Sequence, residues 1–582
     1  MFSENSNDIN IVSDPYSRSF NVGDSSIQIM AKRSSSYVEY EHLGLFSYAK
    51  VLSDDYLIEL LEQLDSKNES LNIIYQTLSR AFSFVLLDYN AGKVTLFNDH
   101  IGCNNCFYYQ TDNSLIISDS LPLIHKEKKH ALKISEQAIF NYMYFHCIPS
   151  PTTIYNNVFK LEPGKAVIFD RQLSKTEQVL YAPKFATKCE NPEALYQECL
   201  TEIDHSVAAA MTENCGAFLS GGLDSSTVSG MLAKHKTPAK TFSIGFEAKG
   251  YDETEYAKIT AKHFGTQHKV LYLKSEQAAE EFVTVAQYFD EPFGNSSSMA
   301  AYFCAKFAKE HGVDTLLAGD GGDELFAGNE RYAKQKQFEL FYKLPRPIRG
   351  FLNVGLNNNL MAKIPGISKA ASYVRQAEVK LPARLQSYNF INIVGLTEMF
   401  TPEFLAKVDT DIPIKQLEQR YAESKGEHPV DNMLYLDWKF TLADNDLVKV
   451  NRMCELAGVN VEYPLLSKRL VDFSCKVPAD VKLPGYKLRD FYKKACRGFL
   501  ADETLDKSKH GFGLPFGVWL KENKKLEKIA MDALEQFKVR NIVSESLINK
   551  ALAAHQSVHT GYYGELIWIM VVLELWLQGN ED

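Results

Sequence analysis

The chain has 582 residues, more than a single hydrophobic core organises, so the length alone predicts two or more domains. An apolar fraction of 45% is typical of a globular protein. The 63 basic and 73 acidic residues give a net charge of -10 without a long basic run. This distribution excludes a surface that wraps nucleic acid and favours small-molecule or peptide substrates.

The first residues, MFSENSNDINIVSD, lack the basic and apolar regions of a secretion signal. No stretch approaches 18 uninterrupted apolar residues, so we expect a cytoplasmic protein without a membrane partner. The ten cysteines include one C-x-x-C pair, Cys103 and Cys106, and no second pair at zinc-finger spacing. Buried free thiols are the expected state of these side chains.

Up to about residue 170 the sequence predicts short strands separated by turns. The predicted strands are FSFVLLDY (82–89), KVTLF (93–97), CFYYQ (106–110), SLIIS (114–118) and AVIFD (166–170). The pattern indicates a sheet-rich domain over residues 1–185, followed by a linker at roughly 182–192.

From residue 191 the pattern changes to apolar runs that alternate with helical stretches. The runs are GAFLS, TFSIGF, KVLYL and TLLAGD, and the stretches between them include STVSGMLAKH and ETEYAKITAKHFG. Strands that alternate with helices predict a parallel sheet covered on both faces. We therefore expect an α/β domain over residues 191–582, mostly helical after about residue 330.

The run GAFLS continues into Ser220-Gly221-Gly222-Leu223-Asp224-Ser225-Ser226 and then into a helix. Backbone N–H groups and the positive end of the helix dipole meet at such a turn, which suits it to hold an anion. The spacing is not that of a Walker A loop. The run S-G-G-L-D-S-S instead resembles the PP-loop of the ATP pyrophosphatases, which cleave ATP between the α and β phosphates to adenylate a substrate.

Further stretches extend the resemblance to one family. TFSIGFEAKGYDETEYAKITAKHFGTQHKVLYL, FDEPFGNSSSMAAYFCAK, LLAGDGGDELFAGNERY, LADNDLVKVNRM and KSKHGFGLPFGVWL resemble, in order and spacing, the synthetase domain of asparagine synthetase B-type enzymes. VTLFNDHIGCNNCFYY and ISEQAIFNYMYFHCIPSPTTIYNNVFKLEPGKAVIFD resemble its N-terminal half. The resemblance implies an α/β plus α+β protein, with an Ntn-hydrolase-like, degenerate glutaminase domain before the PP-loop synthetase domain.

The resemblance also implies roles for single residues and the cofactors ATP and Mg²⁺. Asp224 and Asp323 are expected at Mg²⁺ and the pyrophosphate, since Mg²⁺ takes few protein carboxylates. Asp320 is expected to assist formation or breakdown of the acyl-adenylate, and Lys509 to neutralise charge on the departing pyrophosphate. Asp446 and Lys449 are candidate substrate contacts. Candidate nucleotide contacts are Leu219, Ser220, Gly221, Gly222, Asp224, Ser225, Ser226, Ile244, Ala318 and Gly319.

Two features depart from the family. Glutamine-hydrolysing members carry a nucleophilic cysteine after the initiator methionine, where this chain has Phe2, and the family's R-G-P and N-G-E runs are not found in the first 80 residues. Asp54 is a candidate remnant of a glutamine contact, but a surface turn explains it better. The family's E-x-R-x-P-x-L-D appears here as N-V-E-Y-P-L-L-S over 460–467, so that Glu462 replaces an arginine. This charge reversal predicts that the acceptor site prefers a different acid as its substrate.

Three functions follow from the sequence. The first is an AMP-forming ligase that activates a carboxylate for attack by an amine without hydrolysing glutamine, as β-lactam and carbapenam synthetases and lasso-peptide cyclases do. The second is an asparagine-type reaction fed by free ammonia or by a separate glutaminase chain. The third is an inactive scaffold, against which the intact Asp224, Asp323 and Lys509 argue. Relatives often dimerise, which makes a homodimer a candidate assembly.

Overall fold

The chain is described by a computed structural model over residues 17–22, 25–32, 35–48, 52–66, 71–248, 250–356, 367–507 and 513–580. Within these ranges the strands form three sheets, two in the N-terminal half and one in the C-terminal half. The N-terminal strands are β1 (Ser17–Val22), β2 (Ser25–Met30), β3 (Ser35–Tyr40), β4 (Leu43–Tyr48), β5 (Ser83–Asp88), β6 (Lys93–Asn98), β7 (Phe107–Gln110), β8 (Ser114–Ser118), β9 (Val158–Lys160), β10 (Lys165–Phe169) and β11 (Lys175–Val179). The helices among them are α1 (Asp54–Ser66), α2 (Asn72–Thr77), α3 (Leu121–Lys128) and α4 (Glu136–Phe145).

The two N-terminal sheets pack face to face. Their strand orders are β1-β2-β8-β7-β9 and β11-β10-β6-β5-β4-β3. Ile27 and Ile29 on β2 and Val85 and Leu87 on β5 meet in the apolar layer between the sheets, because alternate residues of a strand share a face. Helix α1 contacts β3 and β4, and α3 contacts β7 and β8 on the other sheet. This arrangement confirms the predicted sheet-rich N-terminal domain.

The five strands predicted before residue 170 are present as β5, β6, β7, β8 and β10. The four strands before residue 50 were not predicted. Their sequences explain the omission, since β1 (SRSFNV) and β3 (SSYVEY) contain serine at positions where a strand pattern needs large apolar residues. Strand β11 ends at Val179 and the next helix begins at Pro192, so the expected linker lies between regular elements. The domain boundaries themselves stay predictions.

The C-terminal half is built on a parallel sheet, as predicted. Its strands are β12 (Cys215–Phe218), β13 (Lys240–Gly245), β14 (Gln267–Tyr272), β15 (Thr315–Leu317) and β16 (Asn460–Glu462), and their order is β14-β13-β12-β15-β16. Each neighbouring pair is parallel. The chain moves outward from β12 in one direction and returns to β15 on its other side. The direction of winding therefore reverses between β12 and β15, which is where open parallel sheets place their ligands.

Helices make up most of the C-terminal half. Those that flank the sheet are α5 (Pro192–Ala210), α6 (Leu223–His235), α7 (Thr254–Phe264), α8 (Ser275–Tyr288), α9 (Ser298–Glu310) and α10 (Gly322–Phe326). The next are α11 (Glu330–Tyr342), α12 (Arg346–Leu356), α13 (Ile367–Glu378), α14 (Phe390–Val394), α15 (Leu396–Met399), α16 (Pro402–Leu405), α17 (Ile412–Glu423), α18 (Pro429–Asp437) and α19 (Leu447–Leu456). The last are α20 (Lys468–Lys476), α21 (Ala479–Lys482), α22 (Asp490–Ala495), α23 (Asp502–Asp506), α24 (Phe516–Glu522), α25 (Lys524–Val539), α26 (Glu545–Ser557) and α27 (Thr560–Asn580).

Helices α18 and α19 are joined by a π-helical segment, Trp438–Asp446, so that 429–456 forms one continuous helical run. Helix α19 packs on both α9 and β16. The run therefore crosses the sheet edge where the winding reverses. π-Helical turns are uncommon and frequently occur at functional sites.

The last helix, α27, passes through the core of the C-terminal half and contacts α8, α24, α25 and α26. Among the described residues it is the one helix with the length and mean hydropathy of a membrane span, but 72% of its apolar window is buried inside the protein. Trp568 and Trp576 are fully buried, and the buried carboxylate of Glu574 pairs with Arg540. These contacts identify α27 as a core helix.

Candidate active site

The glycine-serine turn after β12 has the geometry of an anion cradle. Gly221 adopts a left-handed φ of +73°, and a Cβ there would lie 2.5 Å from the backbone nitrogen of Ala257 on α7. Helix α6 begins at Leu223, immediately after Gly222. The backbone nitrogen of Ser220 donates to Ser225 Oγ at 3.1 Å, which closes the turn over the helix N-terminus. The first N–H groups of α6 have no intrahelical acceptor and are thus available to a phosphate.

A second glycine-rich loop, which follows β15, lies against the first. A Cβ on Gly319 would lie 2.7 Å from the backbone nitrogen of Ser225, and one on Gly322 would collide with the carboxylate of Asp224. Gly321 has a φ of +107°, which residues with a Cβ rarely adopt. The two loops can therefore approach each other only because glycine occupies these positions.

The two loops bring Asp224 and Asp323 together around a guanidinium group. Arg489 forms an ion pair with Asp323 Oδ1, and its Nη2 lies 3.7 Å from Asp224 Oδ2. The Arg489 side chain is 11% exposed, and the two carboxylates raise the pKa of Arg489 against the opposing effect of burial. A Cβ on Gly328 would collide with both Asp323 and Arg489. The arginine was not predicted from the sequence.

The loops form one wall of a cavity of about 330 Å³. Most of the sequence-predicted residues line it: Leu219, Ser220, Gly222, Asp224, Ser225, Ile244, Gly319, Asp320, Asp323, Asp446 and Lys449. Gly221 and Ala318 are not among the residues that line the cavity. Ser226 is fully buried, and its hydroxyl bonds to that of Thr260 at 2.9 Å, so its side chain belongs to the helix packing. Lys509 lies outside the described residues, and its predicted role stays a prediction.

Another part of the cavity lining carries a buried lysine, Lys449, that lies among carboxylates. Lys449 Nζ lies 2.7 Å from Asp446 Oδ1, at the junction of the π-helical segment and α19. Burial alone would lower the pKa of Lys449, but Asp446 and Asp320 outweigh it and raise that pKa. Burial raises the pKa of Asp320 to about 6, although Lys449 opposes the shift. The cavity thus presents a charged ammonium group and a carboxyl group that titrates near neutrality.

A further basic residue lies beside the cavity, near α7. Lys507 Nζ lies 3.0 Å from Glu253 Oε2, which lines the cavity, and 4.5 Å from the centre of the Tyr256 ring. Its side chain is 7% exposed. Lys507 therefore anchors the segment that precedes Lys509 to the N-terminal end of α7.

The donors around this cavity fit Mg²⁺ and a triphosphate. Two glycine loops leave backbone N–H groups and space where a side chain would collide, and the adjacent Asp224 and Asp323 provide hard oxygen ligands. Among the described residues, no group of three or more His, Cys, Asp or Glu side chains is arranged to hold a metal by itself. This is the donor set expected for Mg²⁺, which takes its remaining ligands from phosphate and water.

Glu462, predicted to lie beside the acceptor site, is not part of this cavity. Its carboxylate lies 2.7 Å from Arg80 Nη2 of the N-terminal half and lines a separate cavity of about 250 Å³. The last residue of β16 turns toward the neighbouring half, and the predicted effect of Glu462 on the acceptor acid stays a prediction. The ion pair between Glu462 and Arg80 thus joins the two halves.

The N-terminal half shows no activated thiol among its described cysteines. Cys103, Cys106 and Cys147 are buried, and burial raises the pKa of each thiol. A nucleophilic cysteine needs the opposite shift. Asp54, the candidate remnant of a glutamine contact, is an exposed residue that begins α1. Phe2 lies outside the described residues.

Comparison with known proteins places these features in a family. The sequence pattern of the asparagine synthase family matches residues 198–578, and that of the glutamine amidotransferase domain matches residues 67–181. An asparagine synthetase from Bacillus subtilis, described as glutamine-hydrolysing, is 26% identical over 84% of this chain and 77% of its own. A relative from Methanocaldococcus jannaschii, provisionally described in the same way, is 33% identical over 64% of this chain and 71% of its own. A fungal relative, amidase chry2 of Gibberella zeae, is 21% identical over 75% of this chain and 70% of its own.

The first family pattern covers well over half of the chain, and it spans the parallel sheet, both glycine loops and α19. The second covers most of the N-terminal sheet sandwich. The chain belongs to the asparagine synthase family of ATP-dependent, amide-forming ligases.

Proposed function

We propose that the protein adenylates a carboxylate with ATP, releasing pyrophosphate, and transfers the acyl group to an amine without hydrolysing glutamine itself. The observation that carries the proposal is the cavity at the point where the sheet reverses its winding. The lining of this cavity combines an anion cradle and two carboxylates with the charged pair of Lys449 and Asp446. Nucleotide and acid can therefore be bound in one cavity.

Each group of lining residues has a distinct role in this reaction. The backbone of the PP-loop holds phosphate, while Asp224 and Asp323 would hold Mg²⁺, which supplies charge neutralisation at the pyrophosphate. Lys449, fixed by Asp446, is placed to bind the carboxylate that is to be activated. Asp320 lies on the second glycine loop and lines the same cavity, and with a pKa of about 6 it can accept a proton from the attacking amine at neutral pH.

The absence of glutamine hydrolysis is supported by the chemistry of the N-terminal half. The thiols of Cys103, Cys106 and Cys147 are buried with raised pKa values, so none is prepared to attack an amide. Phe2 stands where the family's nucleophile would be. The amine consequently comes from another source, either a substrate amine or free ammonia.

A second candidate is asparagine-type synthesis from free ammonia. The names of the Bacillus and Methanocaldococcus relatives favour it. It shares the adenylation step and differs in the acid, aspartate, and in the nucleophile. Ammonia-dependent consumption of aspartate would select this candidate over ligation to a larger amine.

The adenylation step can be tested before the natural acid is known. Carboxylate-dependent exchange of labelled pyrophosphate into ATP, measured over a panel of amino acids and sugar acids, reports reversible acyl-adenylate formation. Hydroxylamine should trap the activated acid as a hydroxamate with a matching preference. Asp224→Asn should abolish both signals. Release of orthophosphate in place of pyrophosphate, with no exchange for any trapped acid, would refute an AMP-forming reaction.

A further inference from the structure

A short segment, from the end of α11 into the first part of α12, exposes large apolar side chains. Leu340, Leu344, Ile348 and Phe351 are 46%, 37%, 48% and 78% exposed. These four side chains fall within twelve residues, in a chain whose described apolar residues are otherwise mostly buried. We call this segment, 340–352, the α12 surface. Exposure of so many large apolar side chains in one place is uncommon and marks an interaction site.

The α12 surface is also basic. Lys343, Arg346 and Arg349 lie within it, and no acidic residue occurs anywhere in 340–377, where six lysines and arginines are found. The whole chain, by contrast, carries a net charge of -10. Positive charge is therefore concentrated beside the exposed apolar side chains, and the nearest acidic residues, Glu339 and Glu378, lie just outside 340–377, with Glu339 paired to Arg384.

Helix α12 is fixed to the protein by one side and presents the other side outward. Leu352 packs against the buried cluster of Phe338, Phe341, Val374 and Ala377, which joins α11 to α13. Ile348 and Phe351 are three residues apart and so share one face of the helix. Because both are exposed, this face is the one that the fold leaves uncovered.

We propose that the α12 surface docks the protein on an anionic membrane surface. Apolar side chains flanked by lysine and arginine match the boundary of such a bilayer, where the apolar groups enter the acyl region and the cations stay at the phosphates. The exposed face of α12 within this surface carries Ile348 and Phe351. A stable protein partner would need roughly 800 Å² of complementary surface on each side, which one face of a helix of this length does not offer.

Docking of this kind does not require a spanning segment. The lack of a long uninterrupted apolar stretch argues against a helix that crosses the bilayer, and α27 is buried in the core. A helix that lies in the interface needs only a basic, amphipathic surface. The proposal of peripheral binding therefore departs from the sequence-based expectation of no membrane partner, which rested on the lack of a spanning stretch and of a secretion signal.

The experiment is flotation of the full-length protein with vesicles. Vesicles of phosphatidylcholine with one-quarter phosphatidylglycerol should carry the protein upward, whereas pure phosphatidylcholine should not. Raising the salt from about 0.05 M to about 0.5 M should release it, since exposed charges are then screened. The double variant Ile348→Asp/Phe351→Asp should bind at least about tenfold more weakly, and Arg346→Glu at least about fivefold more weakly.

Val539→Asp is the matched control, because Val539 is 80% exposed on α25 and lies far along the chain from the α12 surface. It should bind like the wild type. All variants change exposed side chains, so their unfolding midpoints should equal that of the wild type and show that lost binding is not misfolding. Failure to float with anionic vesicles, equal binding to neutral vesicles, or an equal loss in Val539→Asp would each overturn the proposal. A dimer that the double variant dissociates would assign the surface to self-association instead.

Discussion

Replacing Arg489 with methionine tests the idea that its guanidinium and Mg²⁺ compete for the carboxylates of Asp224 and Asp323. The side chains of Asp224 and Asp323 are 17% and 16% exposed and share this cation. Removing one partner from a buried ion pair costs about 3 kcal/mol, the lower end of the usual range, which suits partly buried groups. At an unfolding entropy of about 2.1 cal/mol/K per residue, the roughly 390 residues of the C-terminal half convert this into a Tm lower by about 4 °C.

Magnesium should reverse part of that loss. With the guanidinium removed, Mg²⁺ can bind the two carboxylates directly, and at ten times its Kd it returns about 1.4 kcal/mol. We therefore expect Arg489→Met to unfold earlier than the wild type in EDTA and to regain stability in Mg²⁺, whereas the wild type should change little. Thermal unfolding followed by the fluorescence of the four tryptophans measures both quantities without nucleotide.

Arg452→Met provides the control. Arg452 is 8% exposed and pairs with Asp290 and, at 2.6 Å, with Glu455, none of which lines the cavity. Its loss should cost a similar free energy of unfolding that Mg²⁺ does not restore. Equal recovery of both variants in Mg²⁺, or an unchanged Tm for Arg489→Met in EDTA, would refute the reasoning.

Four further outcomes are expected. Lys509→Ala should lower turnover about a hundredfold with little change in nucleotide affinity, since a preorganised donor to developing charge contributes about 3 kcal/mol; an unchanged rate of pyrophosphate exchange would transfer the role to Lys507 or Lys449. Asp224→Asn should instead weaken Mg-ATP binding, and unaltered affinity by calorimetry would contradict its assignment to the metal. Because burial raises the pKa of Asp320 to about 6, its carboxylate form is lost as the pH falls through 6, so the rate should fall there, and Asp320→Asn should lack this limb of the pH profile. Purified protein should form no glutamate from glutamine; production above background without a partner chain would overturn that expectation.

The cavity could be predicted because its two loops obey a local rule. The PP-loop and the A-G-D-G-G-D loop are about a hundred residues apart, yet each directly follows a strand of an alternating strand-helix pattern. Parallel strands end at the same edge of the sheet, and β12 and β15 are neighbours. The strand pattern therefore accounts for the meeting of the two loops, whereas the pairing of Asp224 with Asp323 was expected from the family resemblance.

Arg489 could not be predicted in this way. It precedes the short helix α22, has a left-handed φ of 55°, and belongs to no apolar or glycine-rich pattern. Its position depends on contacts between segments far apart in the chain, which periodicity does not encode. Glu462 illustrates the same limit: its place in the sequence indicated the acceptor site, but its direction depends on Arg80 in the other half.

The N-terminal half holds the helical run that carries Asp446 and Lys449. Lys439 Nζ donates to the carbonyls of His100 and Pro163, at 3.2 and 2.7 Å. Asn451 Nδ2 donates to the Cys103 carbonyl at 2.6 Å. Arg452 Nη2, on the same helix, donates to the Asp119 carbonyl at 3.1 Å. These four bonds lie on both sides of the pair, two from Lys439 before it and two after it.

A chain that no longer hydrolyses glutamine would still need this half. Removing it would leave four bonds to backbone carbonyls unmade around 439–452. Three of them come from charged lysine and arginine donors, and each such unmade bond costs about 1.5 to 3 kcal/mol. Helix α19 would then lose the support that fixes Lys449 against Asp320 across the cavity. If the proposed ligation is the activity of the protein, the sheet sandwich supports the residues that bind the acid. Ligation alone would then be sufficient to retain this half, whether or not it hydrolyses glutamine.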